Sequence, residues 1–137
     1  MKKLFSLLVV GLFLLVYACG GGGDDPKSVM NDYFDVMEGF VNGMDKAGSA
    51  DDAVAVMEKF VVKMKDLKPR MKAVEEKYPE LKKMGAEGKL PDAFKEFEGR
   101  FNELMPKMMG AFGKIAQYAT DTRIVEANKK LEEIMKD

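Results

Sequence analysis

Apolar residues recur at spacings of three and four through most of this chain, a period that predicts helices. From about Lys27 to Ala47, Met30, Met37 and Met44 return every seven residues, with Tyr33, Phe34, Phe40 and Val41 filling the stripe between them. Two interleaved heptad series follow. Met57, Met64, Met71 and Tyr78 form one, and Ala53, Phe60, Leu67, Val74 and Leu81 form the other. Such a 3.5-residue repeat is the seam of a helix bundle. A third helix carries Leu90, Phe97, Leu104, Ala111 and Tyr118 beside Phe94, Phe101, Met108 and Ile115, and a short fourth turns Ile124, Ala127, Leu131 and Ile134 inward. The pattern predicts an all-α, up-and-down bundle of three to four helices, two of them long and bent at proline.

Punctuation sets the boundaries. Ser28 is the expected cap of the first helix, and Gly48 its stop. Ser49 with Asp52 three residues on is close to a capping box. Tyr78-Pro79 ends the second helix, Gly85-Ala86-Glu87-Gly88 breaks the chain, and Pro91 suits the first position of the third. Thr120 or Asp121 caps the fourth helix, unless the third and fourth merge into one rod. Gly39 and Gly43, four apart, read as glycines that a water-soluble helix tolerates.

One stretch occurs twice. Phe60-Val-Val-Lys-Met-Lys-Asp-Leu-Lys-Pro-Arg-Met71 aligns without a gap on Phe97-Glu-Gly-Arg-Phe-Asn-Glu-Leu-Met-Pro-Lys-Met108. The seam accounts for the apolar matches. It does not account for Pro69 and Pro106, both on the outward side at the same step. An interior proline removes a backbone bond and bends a helix, so two neighbouring helices are expected to bend at equal depth and leave space between them. Leu67, Met71, Phe101, Leu104 and Met108 are therefore the candidate residues for binding an apolar ligand.

Composition removes most chemistry. The 137 residues include 22 basic and 23 acidic side chains, which gives no field for nucleic acid. There is no histidine, the commonest general base and metal ligand, and one cysteine, so neither an intrachain disulfide nor a thiolate zinc cluster can form. The few serines lack a histidine partner for nucleophilic activation. Glu75, Glu76, Glu96, Glu98, Glu132 and Glu133 fall on outward faces among lysines and read as solvated helix surface rather than a glycosidase pair. Catalytic residues and cofactors are not expected. Methionine is the unusual resource: all but Met1 of the twelve follow the leader. Core packing explains most of them. An alternative is soft-metal binding, with Met105, Met108 and Met109 as Cu(I) ligands; a purely structural spacer is a third reading.

The amino terminus carries an address. Lys2 and Lys3 precede an apolar run, Leu4 to Tyr17, too short for a comfortable membrane span and proportioned like a secretory signal. Its ending, Val16-Tyr17-Ala18-Cys19, resembles the lipobox of bacterial lipoproteins. That resemblance implies cleavage after Ala18 and diacylglycerol and acyl chains on Cys19, which anchor the chain to a membrane of the cell envelope. Gly20 directly after the cysteine implies the outer rather than the inner membrane. The expected organisation is a signal peptide over 1–18, a lipidated cysteine with a glycine-rich tether over 19–27, and a bundle domain over 28–137. In layout the domain is similar to cytochrome b562-like bundles, but the histidine that would hold haem is absent, and the Glu-x-x-His pairs of ferritin-like di-iron sites cannot be written here. The expected partners are the membrane, through the anchor, and either another protein or a hydrophobic small molecule.

Overall fold

A computed structural model describes residues 25–83 and 90–135. Every regular element among them is helical: α1 (Pro26–Lys46), α2 (Ala50–Lys77), a 3-10 turn (Pro79–Lys83), a second 3-10 segment (Asp92–Phe97), α3 (Glu98–Gln117) and α4 (Thr122–Met135). The chain is all-α, a four-helix bundle. Cys19 and Gly85-Ala86-Glu87-Gly88 lie outside the described residues.

The caps follow local chemistry, with one correction. Asp25, not Ser28, caps α1: its carboxylate accepts from the Ser28 amide at 3.1 Å, and Pro26 takes the first turn, where no backbone donor is needed. The linker to α2 closes reciprocally. Ser49 Oγ accepts from the Asp52 amide at 3.2 Å, and Asp52 accepts from the Gly48 amide at 3.1 Å. Asp121 starts α4 by accepting from the Arg123 amide at 2.9 Å, and this turn separates α3 from α4, so no merged rod exists.

Helices pack closely in three pairs: α1 with α2, α1 with α3, and α2 with α4. Thus α1 and α2 form the spine, and α3 and α4 flank them. The two proline-bearing helices, expected to be neighbours, instead lie across the diagonal, each resting on α1. The long connection after α2 makes this possible. It ends in the segment 92–97, where Phe94 leaves helical geometry (φ −120, ψ 15) before α3 begins. The third helix consequently starts at Glu98, later than Pro91 suggests. Pro69 and Pro106 sit inside unbroken helices with their rings exposed. Each leaves one carbonyl without its usual donor, and on an exposed face water supplies it.

The core is continuous. Phe34 stacks on Phe97 with ring centroids 5.6 Å apart, Phe94 meets Tyr78 edge-on at 5.1 Å, and Phe40 meets Phe60 at 4.5 Å. Among the described residues no polar or charged side chain is buried. Burial of each large apolar side chain contributes about 1.5–3 kcal/mol, and nothing polar offsets it. The α1–α2 crossing is close at Gly43, where an added Cβ would meet both Val56 methyls at 3.0 Å. Gly43 thus sits at a close approach of the two helices, whereas a Cβ on Gly39 would meet nothing within 4 Å.

Candidate functional site

The residues singled out by the doubled segment are placed in or against the core. Leu67 and Leu104 are each 4% exposed, and Met71, Phe101 and Met108 are half-buried and packed against the core. The main surface clefts are lined by other residues. Met105, Met108 and Met109 also divide: Met108 packs inward, while Met105 and Met109 face out. No group of three or more cysteine, histidine, aspartate or glutamate side chains among the described residues is placed to hold a metal ion.

What sequence reasoning missed is the uncovered part of α3. Its apolar arc is wider than the bundle needs. Leu104, Ala111 and Ile115 enter the core, but Met105, Met109 and Phe112 continue the arc onto the surface at 47, 76 and 51% exposure. Spacings of four and three put these three side chains, with Ala116, along one helical stripe. Across from it α4 presents Val125, 41% exposed. Between the two helices runs a cleft of about 450 Å³ lined by Phe112, Ile115, Ala116 and Ala119 on one wall, and by Ile124, Val125, Asn128, Lys129 and Glu132 on the other. Since α3 and α4 do not pack as the other pairs do, this seam is the open side of the bundle. Val62 on α2 is the remaining large apolar residue with comparable exposure among the described residues. The signal was legible in part: Met105, Met109 and Phe112 belong to neither heptad series, which is why their spacing did not draw attention as core.

The neighbouring side, between α1 and α3, is polar and tied down. Arg100 donates to Glu38 at 2.9 Å, Asp35 at 2.7 Å and Asn31 at 3.1 Å, with its guanidinium 5.3 Å from the Phe34 ring centre. Those bonds, Glu38 first and Asp35 next, raise its pKa further and fix the charge. A cleft of about 510 Å³ lies farther along, lined by Asn42, Asp45, Lys107, Gly110, Gly113, Lys114 and Gln117 among others, with Lys114 donating to the Asp45 carbonyl. Lys27 pairs with Glu96 at 2.8 Å and Arg70 with Asp32 at 2.7 Å. Among the described residues Tyr33 is the one side chain whose pKa is shifted chiefly by burial, upward, as expected for a phenol kept from water. These contacts are structural. They orient α1, α2 and α3.

No helix among the described residues is long and apolar enough to cross a membrane. Comparison with known protein families, characterised proteins and solved structures returns no match.

Proposed function

We propose that this chain is a lipid-anchored protein of the bacterial envelope, held through Cys19, and that its domain is a non-enzymatic interaction module. The observation that carries the second part is the α3–α4 seam. Phe112 and Val125 are exposed on one open groove between two helices, and Met105 and Met109 continue the exposed apolar stripe of α3 from Phe112. Exposed apolar residues scattered singly need no explanation, but a contiguous set marks a contact surface. A groove walled by two helices, with apolar positions repeating at helical spacing, matches the apolar face of an amphipathic helix. Methionines let such a surface repack around its occupant. The lipobox-like ending and the placement of the sole cysteine support the anchor.

Two measurements test the two parts. Intact mass of the chain from envelope fractions should show Cys19 as an acylated amino terminus; an unmodified thiol overturns the anchor. A photoreactive amino acid at Phe112 should cross-link to a second protein in cells, with the adduct lost when Met109→Gln is added and no adduct from Ala93. Cross-linking equal at the two positions overturns the docking face.

A further inference from the structure

The α2–α4 side of the bundle gathers four lysines. Lys65, Lys68 and Lys72 are three and four residues apart on α2 and so share one face, and Lys130 meets them from α4. Together with Pro69, Glu133 and Ile134 they line a groove of about 420 Å³ whose walls are mainly apolar. Several cations elsewhere are engaged internally: Lys27 with Glu96, Arg100 with Asp35 and Glu38, Arg123 with Asp51 and Asp121. Lys68 has an interaction of its own. Lys65, Lys72 and Lys130 make no ion pair among the described residues and stand exposed, with Glu133 the single acid lining the groove.

We infer that this lysine-rimmed groove is the face by which the domain lies against the anionic phospholipid surface of the membrane that holds its anchor. The inference rests on the Cys19 anchor proposed above. Six residues lead from Cys19 to Asp25, and however they are arranged they reach at most about 20 Å. The start of α1, the end of α2 and the end of α4 lie at one end of this up-and-down bundle, so the groove begins near the surface. Lysine stems lying along apolar walls with their ammonium groups reaching phosphates suit the boundary of a bilayer. Lying on this side leaves the α1–α3 face, where Asp35 and Glu38 are paired with Arg100, turned away from the leaflet. It leaves the α3–α4 seam open at the flank for a partner.

The test is lysine-reactive footprinting of the full mature chain in vesicles of phosphatidylglycerol and phosphatidylethanolamine, compared with phosphatidylcholine alone. Lys65, Lys72 and Lys130 should be protected only in the anionic vesicles, with Lys95 and Lys107 labelled equally in both. Each lysine held at an anionic surface strengthens contact roughly five-fold, so Lys65→Gln/Lys72→Gln/Lys130→Gln should weaken it about a hundredfold. Raising the salt to about 1 M, where the screening length falls to about 3 Å, should release the wild-type face. Equal labelling in the two lipids, or protection of the remaining groove lysine, Lys68, by anionic vesicles that survives the triple substitution in a chain of unchanged helicity, overturns the proposal. If the mass of the amino-terminal peptide shows Cys19 unacylated, the anchor reading fails. The same footprint, taken on chain added to vesicles, then still supports or overturns the lysine face.

Discussion

Gly39 and Gly43 lie one turn apart on α1, and alanine should act on them in opposite directions. At Gly39 a new Cβ meets nothing within 4 Å. Alanine there gains helix propensity and narrows the unfolded chain, a stabilisation of about 0.5–1 kcal/mol. At Gly43 the same gain applies, but the Cβ lands 3.0 Å from both Val56 γ-methyls. Valine in a helix has essentially one side-chain rotamer, so it cannot turn both methyls away without strain. The alternative is for α1 and α2 to part, which loosens the Phe40–Phe60 contact, at 4.5 Å, on the same crossing. Overpacking of this kind costs about 1–3 kcal/mol. Net, Gly43→Ala should destabilise by about 1 kcal/mol and Gly39→Ala stabilise by nearly as much, a separation of about 2 kcal/mol. For a domain of this size that is a difference of roughly 9 °C in melting temperature. Reversible urea unfolding followed by circular dichroism measures both. Val56→Ala supplies the control, because in its background Gly43→Ala should lose most of its cost, giving a coupling energy in the double-mutant cycle. If Gly43→Ala stabilises as much as Gly39→Ala, α1 and α2 do not approach as described.

Three further outcomes follow from other contacts. Phe94→Ala should cost about 3–5 kcal/mol in denaturant unfolding, since the ring is 1% exposed and touches Tyr78 and Phe97; a loss under about 1 kcal/mol would contradict its place in the core. Arg100→Lys should lose about 1 kcal/mol, because an ammonium cannot keep the bonds to Glu38, Asp35 and Asn31 together, and the difference should shrink as salt rises, the guanidinium being 31% exposed. Two pH effects have opposite signs. Ser49 and Gly48 hold the Asp52 carboxyl below its ordinary range, and Arg123 does the same for Asp121. Their contribution is therefore present above the ordinary aspartate value and lost as pH falls through the lowered one, and Asp52→Asn with Asp121→Asn should flatten acid unfolding. The raised pKa of Tyr33 contributes below the ordinary tyrosine value and is lost as pH rises through the raised one, so Tyr33→Phe should flatten the alkaline limb.

Heptad spacing carried most of the fold. Ile124, Ala127, Leu131 and Ile134 are all buried, as their positions require, and every described member of the α2 series is buried or half-buried. Periodicity reports which face of a helix is covered, and it does so without knowing the partner. For the same reason it could not say that α2 and α3 lie across a diagonal, since both faces are satisfied by α1. The 3-10 start of the third helix was hidden because Phe94 and Phe97 are buried whether that turn is tight or wide. Capping was ambiguous at Asp25 and Ser28, where two good cap residues flank Pro26 and only geometry chooses. The seam residues were harder. Met105 and Met109 stand beside core positions, and an apolar residue one step off the stripe carries no mark in the sequence of being left uncovered.

The methionines offer the most direct test of the α3–α4 seam as an occupied docking face. Peroxide oxidation of purified chain, read by peptide mass, should modify Met109 first and Met105 next, with Met30, Met44 and Met57 slow, following exposures of 76 and 47% against 0, 0 and 1%. The same treatment of the chain in its own membranes should leave the three buried methionines unchanged and slow Met105 and Met109 by about tenfold or more, as expected for thioethers removed from solvent. Oxidation of Met105 and Met109 at the same rate in membranes as in isolation would contradict the account.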